Sequence, residues 1–203
     1  MKIKASKRYK KLLDNSKDKK AETIENAIKK TKQNCTAKFD ESIDVSFFLN
    51  LKQKKEEFTL RTTVNLPNGN GKKIKVAVLC EEAKVNEAKE SGADIFGSEN
   101  LVNDITAGKI NFDKLVATPA MMAKMGKLGK ILGPKGLMPN PKLGTVTDNI
   151  EEAVKSAKAG QVEIKNDKDG NIGVSIGKKS FTDEKILNNF NAIIETLEKE
   201  KGN

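Results

Sequence analysis

The residues best suited to chemistry in this 203-residue chain are lysines. Lys114, Lys124, Lys127, Lys130, Lys135 and Lys142 fall between Asp113 and Asp148, a stretch that contains no acid. Its centre, Gly126 to Thr147 (GKLGKILGPKGLMPNPKLGTVT), holds five of the fifteen glycines and three of the five prolines. Glycine admits φ > 0 and close backbone approach. Proline fixes φ and turns the preceding residue away from helix. Spread ammonium groups on a glycine-bared backbone suit contact with a polyanion, nucleic acid or phosphate. The competing reading is a stiff structural loop with lysines for solubility. Ile131, Leu132, Leu137, Met138 and Leu143 predict a long loop with an apolar anchoring side.

Other chemistry is poorly served. Histidine is absent, which removes the commonest general base and metal ligand. Cys35 and Cys80 stand in unrelated settings with no CxxC, so neither zinc nor a disulfide framework is expected. A Rossmann fingerprint should follow the apolar strand ending at Cys80, but the residues there are EEAKVNEAKE. No GxxxxGK[ST] occurs either. The pairs Asp40/Glu41 and Glu81/Glu82 are adjacent and so point apart on any regular element. No catalytic residue, metal or cofactor is expected. The formal net charge of +10 favours a nucleic-acid partner over a membrane. No stretch approaches the roughly 20 apolar residues of a membrane span. The start, MKIKASKRYKKLLDNSKDKK, lacks the apolar segment of a secretory signal. Asp14, Asp18 and a shortage of arginine argue against a transit peptide, and a reduced, cytosol-like compartment is expected.

The positioning elements follow from periodicity. Lys4 to Asp14 predicts a short basic helix, either an RNA-facing arm or a solvated terminus, with Tyr9, Leu12 and Leu13 able to pack. Residues 21–33 place Ala21, Ile24, Ala27 and Ile28 on one helical face. Residues 37–49 alternate, Phe39, Ile43, Val45, Phe47 and Leu49 on one side and Lys38, Asp40, Ser42, Asp44 and Ser46 on the other. Residues 58–66 repeat that pattern, with Phe58, Leu60, Val64 and Leu66 inward. After the turn cluster at 67–71, KIKVAVLC at 73–80 reads as a strand covered on both faces. A helix at about 82–91, a strand at 94–96, a helix capped by Ser98 and a strand at 113–119 complete a parallel α/β unit. Asp148 to Glu151 reads as a capping box opening a helix that ends at Gly160. QVEIKND and NIGVSIG flank DKDGN as a hairpin. Phe181 is placed to staple onto Ile186, and the Ile186, Leu187, Phe190, Ile193, Ile194, Leu197 stripe predicts a final helix.

This order predicts an α+β, discontinuous two-domain protein. Residues 1–67 plus 161–203 form an antiparallel α/β layer domain, and 68–160 form an inserted Rossmann-like parallel α/β domain carrying the loop at 126–147. The crossings at 67–71 and 159–161, with Pro67, Gly69, Gly71 and Gly160, form a natural hinge. Net charge is +8 over residues 1–67, +3 over 68–160 and −1 over 161–203, which points to the outer domain as the main RNA clamp.

The segment GKLGKILGPKGLMPNPKLGTVT closely resembles the signature of the ribosomal protein L1 family, found on the mobile stalk of the large ribosomal subunit. AKFDESIDV at 37–45, VNLPNGNGK at 64–72, SGADIFG at 91–97, DKLVATPAMM at 113–122 and KNDKDGNIGVSIGKKSF at 165–181 agree with it. The resemblance covers nearly the whole chain and is bacterial or organellar in style. It implies the same two-domain arrangement, and ribosome-bound residence in the cytoplasm or an organelle. It implies a ribonucleoprotein that binds the stalk segment of large-subunit rRNA directly. It further implies release of deacylated tRNA from the exit site and, in bacteria, translational repression through the protein's own operon mRNA. Residues 38–44 resemble the family's chief rRNA-contact strand, which makes Lys38, Phe39, Ser42 and Asp44 the leading contacts. Phe39 has an equal reading as a core aromatic. Lys165, Asn166, Asp167 and Lys168 on the hairpin are further candidates, with a solvated turn as the alternative. Lys127, Lys130, Lys135 and Lys142 are candidates for contact with RNA or tRNA. Relatives continue into a further strand with a Thr-Met-Gly motif, whereas this chain ends at Asn203, so weaker rRNA binding is expected. A free-standing RNA-binding regulator or chaperone is the alternative, and a nucleotide-binding enzyme a remote one.

Overall fold

The computed structural model describes residues 6–15, 22–49 and 60–201. Helices α1 (Lys7–Asn15) and α2 (Ile24–Asn34) lead into strands β1 (Ser42–Phe48) and β2 (Arg61–Asn65). Strand β3 (Val76–Leu79), helix α3 (Val85–Glu90), strand β4 (Ile95–Gly97), helix α4 (Glu99–Thr106) and strand β5 (Lys114–Ala117) follow. The short helices α5 (Met122–Met125) and α6 (Gly129–Leu132) precede α7 (Ile150–Lys158). Strands β6 (Gln161–Lys165) and β7 (Asn171–Lys178) and helix α8 (Asp183–Lys201) close the order. Lys4, Ala21 and Phe58, which the sequence pattern assigned to elements, lie outside the described residues.

Two interiors result. The first draws on both ends of the chain: Ile28, Ile43, Val64 and Leu66 pack with Ile164, Ile172, Val174, Ile176, Ile186 and Ile193. Strand β1 pairs antiparallel with β7, and β2 with β6. The single bridge Asn166↔Ile172 links the two pairs at the hairpin. Ile186 and Ile193, two helical turns apart, are both 0% exposed. Each such burial contributes about 1.5–3 kcal/mol, and this stripe seats α8 on the strands. The second interior lies within residues 74–157. Its parallel sheet has the order β4-β3-β5. Every residue of β3 is fully buried. Ala77 and Leu79 face α4 and the 121–132 turns, whereas Val76 and Val78 face α3 and α7. Period-two geometry thus supplies both faces of a covered strand.

Local expectations differ from the structure at several points. Among the described residues of the second helix's expected apolar face, only Ile28 is buried; Ile24 is 42% exposed. That helix is held through its C-terminal half, where the Lys32 ammonium donates to the Phe181 carbonyl and Asp183. Tyr9 and Leu13 are exposed rather than packed. The helix expected from residue 82 starts as a single 3₁₀ turn, Glu82–Lys84. Ser98 makes no side-chain cap. The capping residue of α7 is Asn149, not Asp148: its Oδ1 accepts from Glu152 N at 3.2 Å and its Nδ2 donates to Glu152 Oε2 at 3.0 Å. Asp148 pairs instead with Lys84 at 2.8 Å. Burial sets that register, because Ile150, Val154 and Ala157 must face the sheet together.

The glycine-rich stretch is not one long loop. It winds into α6 and two 3₁₀ turns, Gly126–Leu128 and Pro141–Leu143. Leu128 and Leu132 are buried in the second interior, with Leu137 and Met138 partly buried against it, and Leu143 is buried at the cleft facing Thr63. Gly133 has ordinary helical φ, yet a Cβ there would lie 2.6 Å from the Gly129 carbonyl oxygen. Close winding, not left-handed conformation, therefore requires that glycine.

The chain crosses between the two interiors twice, and the crossings touch. Gly160 sits at φ +100°, and a Cβ on it would lie 2.5 Å from Gly69 Cα. Gly69 and Gly71 are also left-handed, and Pro67 is exposed just before them. From α8, fully buried Asn189 accepts from Asn68 N at 3.1 Å and donates to the carbonyls of Gly69 and Ile176, both at 2.8 Å.

A narrow cleft of about 50 Å³ separates the bodies, lined by Thr63, Leu137, Leu143, Gln161 and Glu163 together with Lys114. The Lys114 ammonium donates to Gln161 Oε1 at 2.8 Å and to its carbonyl at 3.2 Å. Burial pushes its pKa below the ordinary 10.5, with Glu163 opposing. A lysine pKa that is lower when folded means the unfolded chain binds more protons, so stability rises with pH in that window. Wild type is therefore expected to gain stability relative to Lys114→Met as pH rises through the folded-state pKa toward 10.5. Parallel urea titrations check this; a constant difference between the two proteins would refute it.

Candidate nucleic-acid interface

Strand β1 divides its side chains by face. Ile43 is buried, and Phe47 turns to the core, stacking on Phe190 with ring centroids 5.9 Å apart. Ser42, Asp44, Ser46 and Phe48 are exposed on the other face. The register Asp44↔Ser175, Ser46↔Gly173 and Phe48↔Asn171 extends this face across β7. The same pairing places Lys178 beside Ser42, and its Nζ donates to Ser42 Oγ at 2.8 Å.

The alternation that began at residue 37 in the sequence holds only from Ser42. Residues 37–41 form an irregular segment tied by their acids. Asp40 accepts from Ser180 N at 3.0 Å and Ser180 Oγ at 2.7 Å. The Ser180 hydroxyl bond is the main reason the Asp40 carboxyl lies below its ordinary value. Glu41 accepts from Ala37 N at 3.0 Å and from Arg8 Nη2 at 3.1 Å, while Arg8 Nε donates to Thr36 Oγ1 at 2.7 Å. Released from the strand, Phe39 faces outward at 72% exposure. That decides its two readings against the core. Lys38 is exposed beside it, and Arg8 docks basic α1 next to this corner.

The hairpin candidates separate into two kinds. Asn166 is buried; its Oδ1 accepts from Leu60 N at 2.6 Å and its Nδ2 donates to the Asp167 carbonyl at 3.0 Å. The Asp167 carboxylate accepts from Asp169 N, Asn171 N and Asn171 Nδ2 at 2.9, 2.7 and 3.0 Å. The Asn171 side chain is the leading cause of its lowered pKa. These two residues build the turn, whereas Lys165 and Lys168 are exposed. An open groove of about 500 Å³ joins the hairpin to β1, with Ser46, Lys165, Asp167, Asn171 and Gly173 in its lining.

Lys127, Lys130, Lys135 and Lys142 are exposed on the second body, and none forms an ion pair among the described residues. They do not join the β1 groove: the turns that carry Lys127, Lys130 and Lys135 pack on the parallel-sheet core, and the turn that carries Lys142 lies at the cleft between the bodies. Neither thiol suits nucleophilic chemistry: burial is the chief cause raising both Cys35 and Cys80. Sequence reading missed Phe48, Gly173 and Lys178 at the surface. Continuing the i, i+2 count from Ser42 would have found Phe48; Lys178 required the strand register.

The profile of the ribosomal protein L1p/L10e family matches residues 28–203. The large ribosomal subunit protein uL1 of Pelagibacter ubique is 63% identical over 198 residues, covering 98% of this chain and 86% of that relative. Its counterparts from Kosmotoga olearia and Neisseria meningitidis serogroup C are 49% and 48% identical, each again covering 98% of this chain and 86% of the relative.

Proposed function

The chain belongs to the ribosomal protein L1p/L10e family, and from that premise we propose that it is a structural constituent of the large ribosomal subunit that grips the stalk segment of large-subunit rRNA. The observation that carries this reading is the outer face of β1. It offers short polar side chains in a row, with Lys38 and outward Phe39 at one end. A-form RNA presents a shallow minor groove of 2′-hydroxyls and phosphates, read mainly by shape. Ser42 and Asp44 suit 2′-hydroxyls; Lys38 and Lys165 suit phosphates. The bound RNA is positioned and no bond is made or broken.

Residues 1–67 with 161–203 act as the clamp, and 68–160 act as a separate arm. The arm turns about Pro67, Gly69, Gly71 and Gly160. Its four lysines, which form no ion pair among the described residues, lie in an acid-free stretch and suit the backbone of exit-site tRNA, whose release after deacylation is the arm's task. An operon mRNA that copies the rRNA contour would occupy the same β1 face and repress translation.

Filter binding of the chain to a large-subunit rRNA stalk fragment across a salt series tests the grip. Each phosphate contact steepens the log–log salt dependence by roughly 0.7–0.9. Lys38→Gln is expected to flatten the slope by about one contact. An unchanged slope would take Lys38 out of the interface, and no binding at low salt would end the proposal.

A further inference from the structure

We propose that Phe48 and the groove beside it form a second aromatic platform, on which an unpaired base of the bound RNA stacks while Lys165 meets the adjoining phosphate. The inference rests on the reading of β1 as the RNA-gripping face and adds a contact at the far end of that strand. Phe47 and Phe48 are neighbours with opposite fates: Phe47 stacks on Phe190 in the core, whereas Phe48 is 73% exposed. A strand's solvent face is ordinarily polar, as Ser42, Asp44 and Ser46 are here. A bare phenylalanine ring at its end forgoes burial and asks for a partner.

The surroundings specify that partner. Phe48 pairs in register with Asn171, and Ser46 with Gly173; Ser46, Asn171 and Gly173 line the groove, and Phe48 is their neighbour at the end of the strand. A Cβ added at Gly173 would meet nothing within 4 Å, which leaves a shallow floor where a flat ring can slide in. About 500 Å³ is ample for one nucleotide-sized group. The rim carries both signs, since the Lys165 ammonium and the Asp167 carboxylate both line the groove. Asp167 is tied into the hairpin by three N–H donors, which leave its charge in place. Arg61, opposite Lys165 across the ladder, is met by Glu163 at 2.7 Å. Lys165 has no ion pair among the described residues. An aromatic face beside an unmet ammonium is the pairing that stacks a base and holds its phosphate. A second copy of the chain carries a net charge of +10 and meets this basic chain with net repulsion, whereas RNA brings the opposite charge. Phe39 and Phe48 then bracket β1, whose seven residues span about 20 Å between them.

The test compares wild type, Phe39→Ala, Phe48→Ala, Phe48→Trp and Lys165→Gln in filter binding to a large-subunit rRNA stalk fragment. Melting curves of each variant confirm the fold, which an exposed position should not disturb. Phe48→Ala is expected to bind about 5- to 50-fold more weakly with its salt slope unchanged, since stacking releases no counterions. Phe48→Trp should restore binding, and Lys165→Gln should flatten the slope by about one contact. Chemical probing should show one unpaired base protected by wild type and exposed again by Phe48→Ala. If Phe39→Ala weakens binding and Phe48→Ala does not, the second platform is refuted while the β1 reading stands. Loss of self-association in Phe48→Ala, with RNA affinity intact, would assign the ring to a second copy and overturn the proposal. Failure of wild type to bind the fragment would refute the underlying reading itself.

Discussion

Asn189→Leu is expected to lower the unfolding free energy by about 3–5 kcal/mol. Asn189 is 0% exposed and holds three backbone groups from two distant segments, Asn68 N–H and the carbonyls of Gly69 and Ile176. Leucine keeps most of the volume but offers none of those bonds. Each buried group left unsatisfied costs about 1–3 kcal/mol, and water recovers part of the loss at half-buried Asn68. For a chain of this size, the melting temperature should fall by roughly 10 °C. Urea unfolding followed by circular dichroism measures the loss. A change below about 1 kcal/mol would show that water takes over these bonds and that Asn189 does not tie α8 to the crossing.

Gly160→Ala should cost a similar amount for a different reason. At φ +100° an L side chain is strained, which costs about 1–3 kcal/mol. Its Cβ would also stand 2.5 Å from Gly69 Cα, and that neighbour is backbone that cannot rotate away. Forcing the two crossings apart adds about 1–3 kcal/mol of overpacking, for a total of about 2–6 kcal/mol. Gly92→Ala is the control: Gly92 has φ +80° with nothing within 4 Å of an added Cβ. It should suffer the conformational cost alone. The difference between the two variants in thermal unfolding isolates the collision, and equal losses would refute the contact. Widening of this joint should also appear as a change in small-angle scattering of Gly160→Ala and not of Gly92→Ala.

These two positions show where the sequence was legible. Gly160 was readable as the end of a helix and as one of two crossings, because glycine after a helical stripe has a local signature. Its contact with Gly69 lies 91 positions away and leaves no local trace. Asn189 sits in a clean apolar stripe, where a polar residue reads as solvent-facing. Only the closing of α8 over the turn at 67–71 made it a buried anchor. The candidate site divides in the same way. The polar face of β1 followed from alternation, as did the exposure of Ser42 and Asp44. Phe39 stayed undecided because alternation counted it inward; Asp40 and Glu41, bonded to Ser180, Ala37 and Arg8, break the strand before it. Asn166 and Asp167 read as a solvated turn or as RNA contacts, yet their bonds to Leu60, Asp169 and Asn171 make them the scaffold that presents Lys165 and Lys168.

By itself the sequence determined the elements and their kind. A run of apolar residues made β3 a strand covered on both faces. A stripe at helical spacing made α8. An acid-free, glycine-rich signature marked the family. These are properties of short windows, where backbone geometry and side-chain periodicity act directly. Tertiary structure alone decided which partners met. The β1–β7 register set Lys178 on Ser42, 136 positions away. Burial of Ile150 moved the α7 cap from Asp148 to Asn149. The packing of Leu128, Leu132 and Leu143 wound an expected loop into helical turns. The reason is physical: propensity is worth tenths of a kcal/mol per residue, whereas burying one large side chain is worth about 1.5–3 kcal/mol. Where the two disagree by a residue or a turn, burial sets the register and local preference yields.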